Sequence, residues 1–268
     1  MTNLTLEEKK ELIRMALAAR ELREPLTNVM ITADSLFPLC AAESSPRTAE
    51  QVARLNRGLF QILRIIGNMS DAERCAAVSH QETVDIPALF AEFFEKAETL
   101  VSHTGITLTY EGPDQPIYGL ADREQLERAV LNILSNAIKF TPKGGTVTAK
   151  LTRSGRMLRL SVTDSGSGIA QSVRSSVFSR YLRQPALEDS RYGIGLGMVL
   201  IRTAAAHHGG AVLIDQPDGA GTRITMTMAI RQSKQATLRS NVLRVDYAGE
   251  RDHGLIELSE CLPTELYE

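Results

Sequence analysis

The chain of 268 residues contains no tryptophan and only three cysteines, Cys40, Cys75 and Cys261. Cysteines that are so few, scattered and odd in number exclude a disulfide framework and a zinc cluster. No apolar run approaches the roughly 18 residues of a membrane span, and the first residues lack the apolar stretch of a signal peptide. A net charge of −2 excludes a strongly basic nucleic-acid binder. We therefore expect a cytoplasmic protein without a nucleic-acid partner or a membrane span in this chain.

The composition is that of a globular protein, with 43% apolar and 23% charged residues. The length predicts about two domains, and the pattern changes suggest where they lie. We expect a helical domain over residues 1–75, a linker over 76–84 and a mixed α/β domain over 85–232. Residues 233–268 would form a C-terminal extension that packs against the second domain or a partner subunit. The predicted fold class is α+β.

Two long segments near the start carry apolar residues at heptad spacing. The first segment, residues 5–38, has Leu12, Met15, Ala19, Leu22, Leu26, Val29, Ala33 and Leu36, and the second has Val52, Leu55, Leu59, Ile62, Ile66 and Met69. Pro25 predicts a bend in the first helix, and Ser45–Pro46 predicts the start of the second. The short polar connection predicts an antiparallel hairpin. A dimeric four-helix bundle would bury both seams, and an intramolecular pair lying on the second domain is the alternative.

The second domain mixes helical and alternating patterns. Helices are predicted over residues 86–101, 122–140 and 196–207, and strands over 106–112, 146–152, 157–164, 211–216 and 222–230. Asp122 caps its helix with Gln125 three residues on, and Ser154–Gly155 marks a hairpin. His207 and His208 close the last helix, where cations suit the helix dipole. This order fits an antiparallel sheet with its helices on one face, an α/β sandwich.

One helix of this domain carries polar residues on a single face. Arg128, Asn132, Asn136 and Lys139 follow at steps of four, four and three, opposite an apolar stripe of Leu126, Val130, Ile133 and Ala137. Amide oxygens can hold a hydrated divalent metal while an ammonium meets a phosphate. The alternative is an ordinary solvated helix face.

Two glycine-rich segments follow that helix. The first comes at a strand end and contains Asp164, Gly166 and Gly168. The second immediately precedes a helix and contains Gly193, Gly195 and Gly197. Glycines at such places let backbone amides approach phosphates. Neither segment is a dinucleotide-binding fingerprint or a P-loop.

Taken in order, the segments NILSNAIKFTPKGGTV, DSGSGI, VFSRYLR and YGIGLGMVLIRTAAAHHGG resemble the ATP-binding domain of sensor histidine kinases, which has the Bergerat fold. The resemblance covers roughly residues 85–232 and implies ATP and Mg²⁺ as cofactors. It implies that Asn136 coordinates Mg²⁺ with Asn132 beside it. Lys139 would contact phosphate, and Phe140 would pack on the adenine.

The same resemblance assigns the remaining residues. Asp164 would accept a hydrogen bond from the adenine amino group, and Gly166 and Gly168 would line the base pocket. The triphosphate would be bounded by Gly193, Gly195 and Gly197. Arg180 and Arg183 match an aromatic-and-arginine box with Phe178 and would neutralise phosphate, with a solvated lid surface as the alternative. Relatives that hydrolyse ATP usually carry glutamate at position 132, and a carboxamide offers no general base.

The helical hairpin resembles the dimerisation and phosphotransfer domain of the same family. In the stretch Arg20-Glu21-Leu22-Arg23-Glu24-Pro25-Leu26, arginine stands where the family has its phosphoacceptor histidine. No histidine precedes His80. A guanidinium stays protonated and does not attack a γ-phosphate. Glu24 replaces the threonine or asparagine that the family associates with dephosphorylating a partner.

These features predict an ATP-binding two-component signal-transduction protein that cannot autophosphorylate at the usual position, a pseudokinase. We expect a homodimer through the hairpin and, as partner, a response regulator or a histidine-containing protein that receives phosphate in trans. The alternative is a non-catalytic, nucleotide-sensing scaffold that docks a response regulator. A relative of serine-kinase anti-sigma factors is a third reading, which the long heptad hairpin disfavours.

Overall fold

The computed structural model describes residues 17–19, 21–23, 25–33, 46–74, 81–169, 196–217, 221–232 and 252–267. The chain divides into two compact units. A helical unit joins residues 1–77 with 245–268, and an α/β unit comprises residues 78–244. Within the described ranges, no helix combines the length and the apolar character that a membrane span needs.

The elements are numbered along the chain. The helices are α1 (Pro46–Arg74), α2 (Ile86–Ser102), α3 (Arg123–Phe140), α4 (Leu196–His207) and α5 (His253–Glu257), followed by a 3₁₀ turn at Thr264–Tyr267. The strands are β1 (Glu82–Asp85), β2 (Thr107–Glu111), β3 (Tyr118–Ala121), β4 (Thr146–Ser154), β5 (Met157–Asp164), β6 (Val212–Asp215) and β7 (Arg223–Ala229). Residues 17–19, 21–23 and 25–33 are also helical.

The helical unit is held by a buried apolar cluster. It brings Ala19, Leu26, Met30 and Ala33 together with Leu59, Leu63, Ile66 and Ile256. Helix α1 begins at Pro46, as the sequence predicts. The hairpin connection lies outside the described residues, so the antiparallel hairpin and the four-helix bundle stay predictions.

Only part of each heptad seam is buried within one chain. Leu22, Val29, Leu55 and Ile62 occupy seam positions but are between 39% and 51% exposed. Ile31 and Ile65 beside them are also exposed. The single chain therefore leaves apolar side chains on the surface of both helical stretches.

The C-terminal segment, residues 252–267, packs against α1 inside the helical unit. The Arg57 guanidinium donates to the carbonyls of Ser259 at 2.9 Å and Glu260 at 3.2 Å. The Tyr267 ring meets Phe60 edge to face, with centroids 5.2 Å apart. The sequence analysis expects the C-terminal extension on the second domain or a partner subunit, whereas within one chain this segment lies against α1. Its polar groups and apolar side chains find their partners on α1.

A buried ion pair joins the same two elements. Arg64 Nε lies 3.4 Å from Oε2 of Glu257, which is fully buried, and Arg64 Nη1 lies 3.2 Å from Oε2 of Glu260. Removing a charge from water costs several kcal/mol, and the partner charge repays it only while it is present. The contact between α1 and α5 therefore depends on both members of the pair.

We expect Arg64→Leu to lower the free energy of unfolding by about 3–5 kcal/mol, because it leaves the Glu257 carboxylate buried without its guanidinium. The double variant Arg64→Leu/Glu257→Leu should recover most of that loss, since two apolar side chains replace the pair. Urea unfolding followed by circular dichroism measures both. An equal loss in the single and double variants would contradict the pairing.

The α/β unit contains a five-stranded sheet in the order β2-β4-β5-β7-β6. The neighbouring pairs β4–β5, β5–β7 and β7–β6 are antiparallel, but β2 pairs with β4 in parallel. The prediction of an antiparallel sheet is therefore wrong at this edge. The chain passes through β3 and α3 between β2 and β4, and such a long crossover is what a parallel neighbour requires.

The β4–β5 hairpin forms at the predicted place. Ser154 pairs with Met157, and Gly155 takes a φ of +59°, which glycine adopts without steric cost. Alternate residues of both strands are buried, including Val147, Ala149, Leu158, Leu160 and Val162. Helices α2, α3 and α4 contact strands of the sheet, which gives a two-layer sandwich.

The sequence analysis missed two short strands. β1 and β3 form a separate antiparallel pair, in which Glu82 faces Ala121 and Asp85 faces Tyr118. The predicted linker, residues 76–84, overlaps β1. Four residues are too few to establish an alternating pattern, so the strands depend on their pairing rather than on a local signal.

Candidate nucleotide-binding site

Helix α3 presents the polar face that the sequence singled out. The Asp122 carboxylate accepts a hydrogen bond from the Gln125 amide at 3.2 Å, which confirms the predicted cap. The opposite stripe is buried, as predicted, at Leu126, Val130, Ile133 and Ala137. The apolar stripe thus fixes the rotation of α3 and the direction of its polar face.

The first half of this polar face is covered by α4. Arg128 is 4% exposed and Asn132 only 1%, and the Asn132 amide donates to the Arg128 carbonyl at 2.9 Å. A Cβ added to Gly197 would lie 2.8 Å from Oδ1 of Asn132. The solvated-face alternative is therefore wrong for these two residues, and glycine at position 197 lets α4 lie against the Asn132 amide without displacing it.

Asn136 and Lys139 lie further along the same face and are half-buried. The Asn136 amide nitrogen is 3.7 Å from the Met198 sulfur, which makes Oδ1 the atom that could coordinate a cation. Within the described part of the chain, no group of three or more His, Cys, Asp or Glu side chains could hold a metal. A donor set of one amide oxygen with phosphate and water suits Mg²⁺, which keeps several waters when bound.

Asp164 ends strand β5 with a buried carboxylate. Its Oδ1 accepts hydrogen bonds from the backbone amides of Gly166 at 2.9 Å and Thr222 at 3.1 Å. The Asp164 amide in turn donates to the Thr222 carbonyl at 2.9 Å. Burial raises the pKa of Asp164, although the two amide hydrogen bonds act in the opposite direction.

Three chain segments meet around this carboxylate, and glycines allow them to do so. A Cβ on Gly166 would collide with the carbonyl of Phe140 at the end of α3. Gly221 has a φ of +99°, and a Cβ there would collide with the Asp164 carbonyl. We call Asp164, Gly166, Gly168, Gly221 and Thr222 the Asp164 cluster.

The structure brings part of the predicted site together. Asn132 and Gly197 lie at the α3–α4 contact, and Asp164, Gly166 and Gly168 lie in the Asp164 cluster. Glu21 is helical and exposed. Several predicted residues lie outside the described residues, namely Arg20, Glu24, Phe178, Arg180, Arg183, Gly193 and Gly195.

The sequence analysis missed Gly221 and Thr222, which complete the cluster from the connection before β7. The only signal was a glycine-containing turn ahead of a strand, which marks many ordinary loops.

The explanation of His208 by the helix dipole is wrong. His208 is buried, and desolvation lowers its pKa, so that it is neutral at pH 7.

A two-layer sandwich with a buried carboxylate at a strand end and an amide-bearing helix under a glycine-led helix is the arrangement that the sequence analysis expects of a Bergerat-type ATP-binding domain. Residues 121–232 match the family described as "Histidine kinase-, DNA gyrase B-, and HSP90-like ATPase". Full-length ShkA in complex with AMPPNP shares the fold, with a TM-score of 0.62 at 23% identity over 82% of this chain and 46% of that chain.

Curated relatives are sensor kinases. The uncharacterized sensor-like histidine kinase R01002 of Rhizobium meliloti (strain 1021) is 29% identical over 266 residues, covering 93% of this chain and 50% of that protein. The adaptive-response sensory kinase SasA of Synechocystis sp. (strain ATCC 27184 / PCC 6803 / Kazusa) is 29% identical over 240 residues, covering 84% and 62%. The chain is similar to these sensor histidine kinases and spans half to about three fifths of their length.

We expect Asp164→Asn to weaken ATP binding about 10- to 150-fold, the equivalent of a hydrogen bond to a charged group. The variant can keep both backbone hydrogen bonds through Oδ1, but its amide can turn a donor towards the adenine amino group. Thermal stability should not fall, because a neutral amide avoids the cost of burying a charge. That cost is what raises the pKa of Asp164.

Isothermal titration calorimetry with ATP measures this effect. Asp215→Asn is the matched control, since that carboxylate is 43% exposed and lies 3.6 Å from the Arg223 guanidinium. Unchanged affinity in Asp164→Asn, or an equal loss in both variants, would contradict the assignment.

Proposed function

We propose that this chain is an ATP-binding two-component signal-transduction protein that does not phosphorylate itself at the usual position. The observation that carries ATP binding is the Asp164 carboxylate, held by two backbone amides at the end of β5. The Thr222 side chain also hydrogen-bonds to this carboxylate, and a carboxylate has about four acceptor sites, so it would still accept a hydrogen bond from the adenine amino group. A carboxylate beside backbone groups suits adenine, which presents a donor and an acceptor on one edge.

The phosphate side of the nucleotide would lie along α3 and the start of α4. Asn136 would hold Mg²⁺ through its amide oxygen, and Lys139 would contact a phosphate. The cation would screen phosphate charge and orient the γ-phosphate. Asn132 is buried and carries no basic oxygen, so this proposal includes no general-base hydrolysis of ATP.

The residue at the phosphoacceptor position supports the proposed absence of self-phosphorylation. Arg20 stands in place of histidine, and its guanidinium stays protonated at neutral pH. Bound ATP would then act as a regulatory ligand, or its γ-phosphate would pass to a histidine on another protein. Glu24 supports the regulatory alternative, a scaffold that docks a response regulator without exchanging phosphate with it.

Incubation with γ-labelled ATP and Mg²⁺ tests this function. Wild type should acquire no acid-labile label, and Arg20→His should acquire it, because histidine supplies a neutral nucleophile where arginine cannot. Arg20→His/Asp164→Asn should stay unlabelled for lack of nucleotide. Acid-labile label on wild type would contradict the proposal by placing an acceptor elsewhere, and an Arg20→His variant that binds ATP without labelling would favour the scaffold.

We also propose a homodimer through the helical stretches, which the exposed half of the heptad seam supports. Leu22, Val29, Leu55 and Ile62 keep about half of their surface in contact with solvent in a single chain. Burial of such side chains is worth about 1.5–3 kcal/mol each when complete. A second copy would cover them in a four-helix bundle.

Leu55→Glu/Ile62→Glu should convert the dimer to monomers, because it places carboxylates in the apolar interface. Helical content should persist, since both side chains are exposed within one chain. Light scattering coupled to size exclusion measures the mass. Tyr118→Glu is the control, as a still more exposed aromatic residue of the α/β unit, and a dimer that survives the double variant would contradict this interface.

A further inference from the structure

Helix α4 runs antiparallel along α3 and contacts it at both ends. At its start, Gly197 and Met198 lie against Asn132 and Asn136. At its other end, Nδ1 of His207 lies 3.0 Å from Oε1 of Gln125, near the start of α3. The placement of the α4 first turn over the amide side chains of α3 is therefore determined partly by contacts at the far end.

A second contact between this end of α4 and the start of α3 involves His208. Its Nε2 lies 3.0 Å from the backbone nitrogen of Asp122, and its Nδ1 lies 2.7 Å from the carbonyl oxygen of Ala204. A backbone N–H can only donate, so Nε2 must carry its lone pair. The carbonyl can only accept, so Nδ1 must carry the proton. Both hydrogen bonds together require the neutral Nδ1–H tautomer.

A second proton on His208 has no place in this arrangement. The ring is 2% exposed, and protonated Nε2 would point a donor at the donor of Asp122. The charged groups around the ring are the Asp122 carboxylate, which favours protonation, and His207 and Arg231, which oppose it. Burial outweighs the carboxylate and lowers the pKa of His208 below its ordinary 6.5.

Asp122 makes this contact consequential for α3. Its backbone N–H donates to His208, while its carboxylate caps the first turn of α3 at Gln125. Asp122 therefore both binds His208, which follows α4, and caps the helix that bears Asn132 and Asn136. A change at His208 acts on both helices at once.

We propose that His208 is a positioning residue of the ATP site, which as a neutral imidazole locks α4 against α3 and so sets the phosphate-binding side. This inference rests on the proposed ATP binding. The Asp164 cluster is built from β5 and the connection before β7, and no α4 residue belongs to it. The effect of His208 should therefore fall on the triphosphate and spare the adenine.

Two amide variants separate the two hydrogen bonds of the ring. The longer side chain of His208→Gln can place an acceptor near the position of Nε2 and keep the bond from Asp122. His208→Asn reaches only the position of Nδ1 and keeps the bond to Ala204. We expect His208→Asn to weaken Mg·ATP binding about tenfold, which corresponds to one buried hydrogen bond. Adenosine affinity should stay unchanged, and His208→Gln should bind Mg·ATP nearly as well as wild type.

Titration calorimetry with Mg·ATP and with adenosine, at pH 8, decides between the outcomes. Unchanged Mg·ATP affinity in His208→Asn, or equal losses for Mg·ATP and adenosine, would overturn the inference. Wild type that binds neither ligand would instead overturn the proposed function on which it rests. The two failures are thus distinguishable.

A pH series gives a second readout that does not depend on the stability of His208→Asn. Protonation of wild-type His208 breaks the bond from Asp122, so wild type should lose Mg·ATP affinity relative to His208→Gln as the pH falls below the ordinary histidine pKa of 6.5. Protonation of ATP itself and of Asp164 cancels in the ratio of the two proteins. Parallel profiles would contradict the requirement for a neutral imidazole.

Discussion

Helix α3 is buried on two sides, and the α/β unit is organised around that constraint. Its apolar stripe is buried in the core of the sandwich, and the first half of its polar face is buried as well, with Asn132 beside Gly197 of α4. Buried polar groups of such a helix need partners within the protein, because water does not reach them. The internal bond from Asn132 to Arg128, the Asp122 cap and the contact from His208 supply some of these partners. The same burial holds the amide side chains at fixed places.

Much of the fold could be predicted because its signals are local. The α3 cap needs only Asp122 and Gln125, and the β4–β5 hairpin needs alternation around Gly155. The parallel pairing of β2 with β4 could not be predicted in this way, since alternation within a strand does not identify its neighbour. The same holds for the pairing of β1 with β3.

The candidate site likewise has one part that local spacing predicts and another that only the tertiary fold brings in. Asp164, Asn132 and Gly197 stand in recognisable spacings, and their described contacts follow from those spacings. Thr222 and His208 take part through the tertiary fold, because their partners lie far away in sequence. A histidine before a glycine pair fits a helix terminus equally well, and only its burial reveals that it is neutral.

The docking of residues 252–267 on α1 has a consequence for how the chain acquires its structure. Ile256 belongs to the same apolar cluster as Ala19 and Leu59, although the whole α/β unit lies between Leu59 and Ile256 in sequence. Contacts between such distant residues require closure of a long loop, which costs chain entropy. The cluster can therefore be completed only after residues 252–267 have been synthesised. The packing of the helical unit thus depends on a segment that is made after the whole α/β unit.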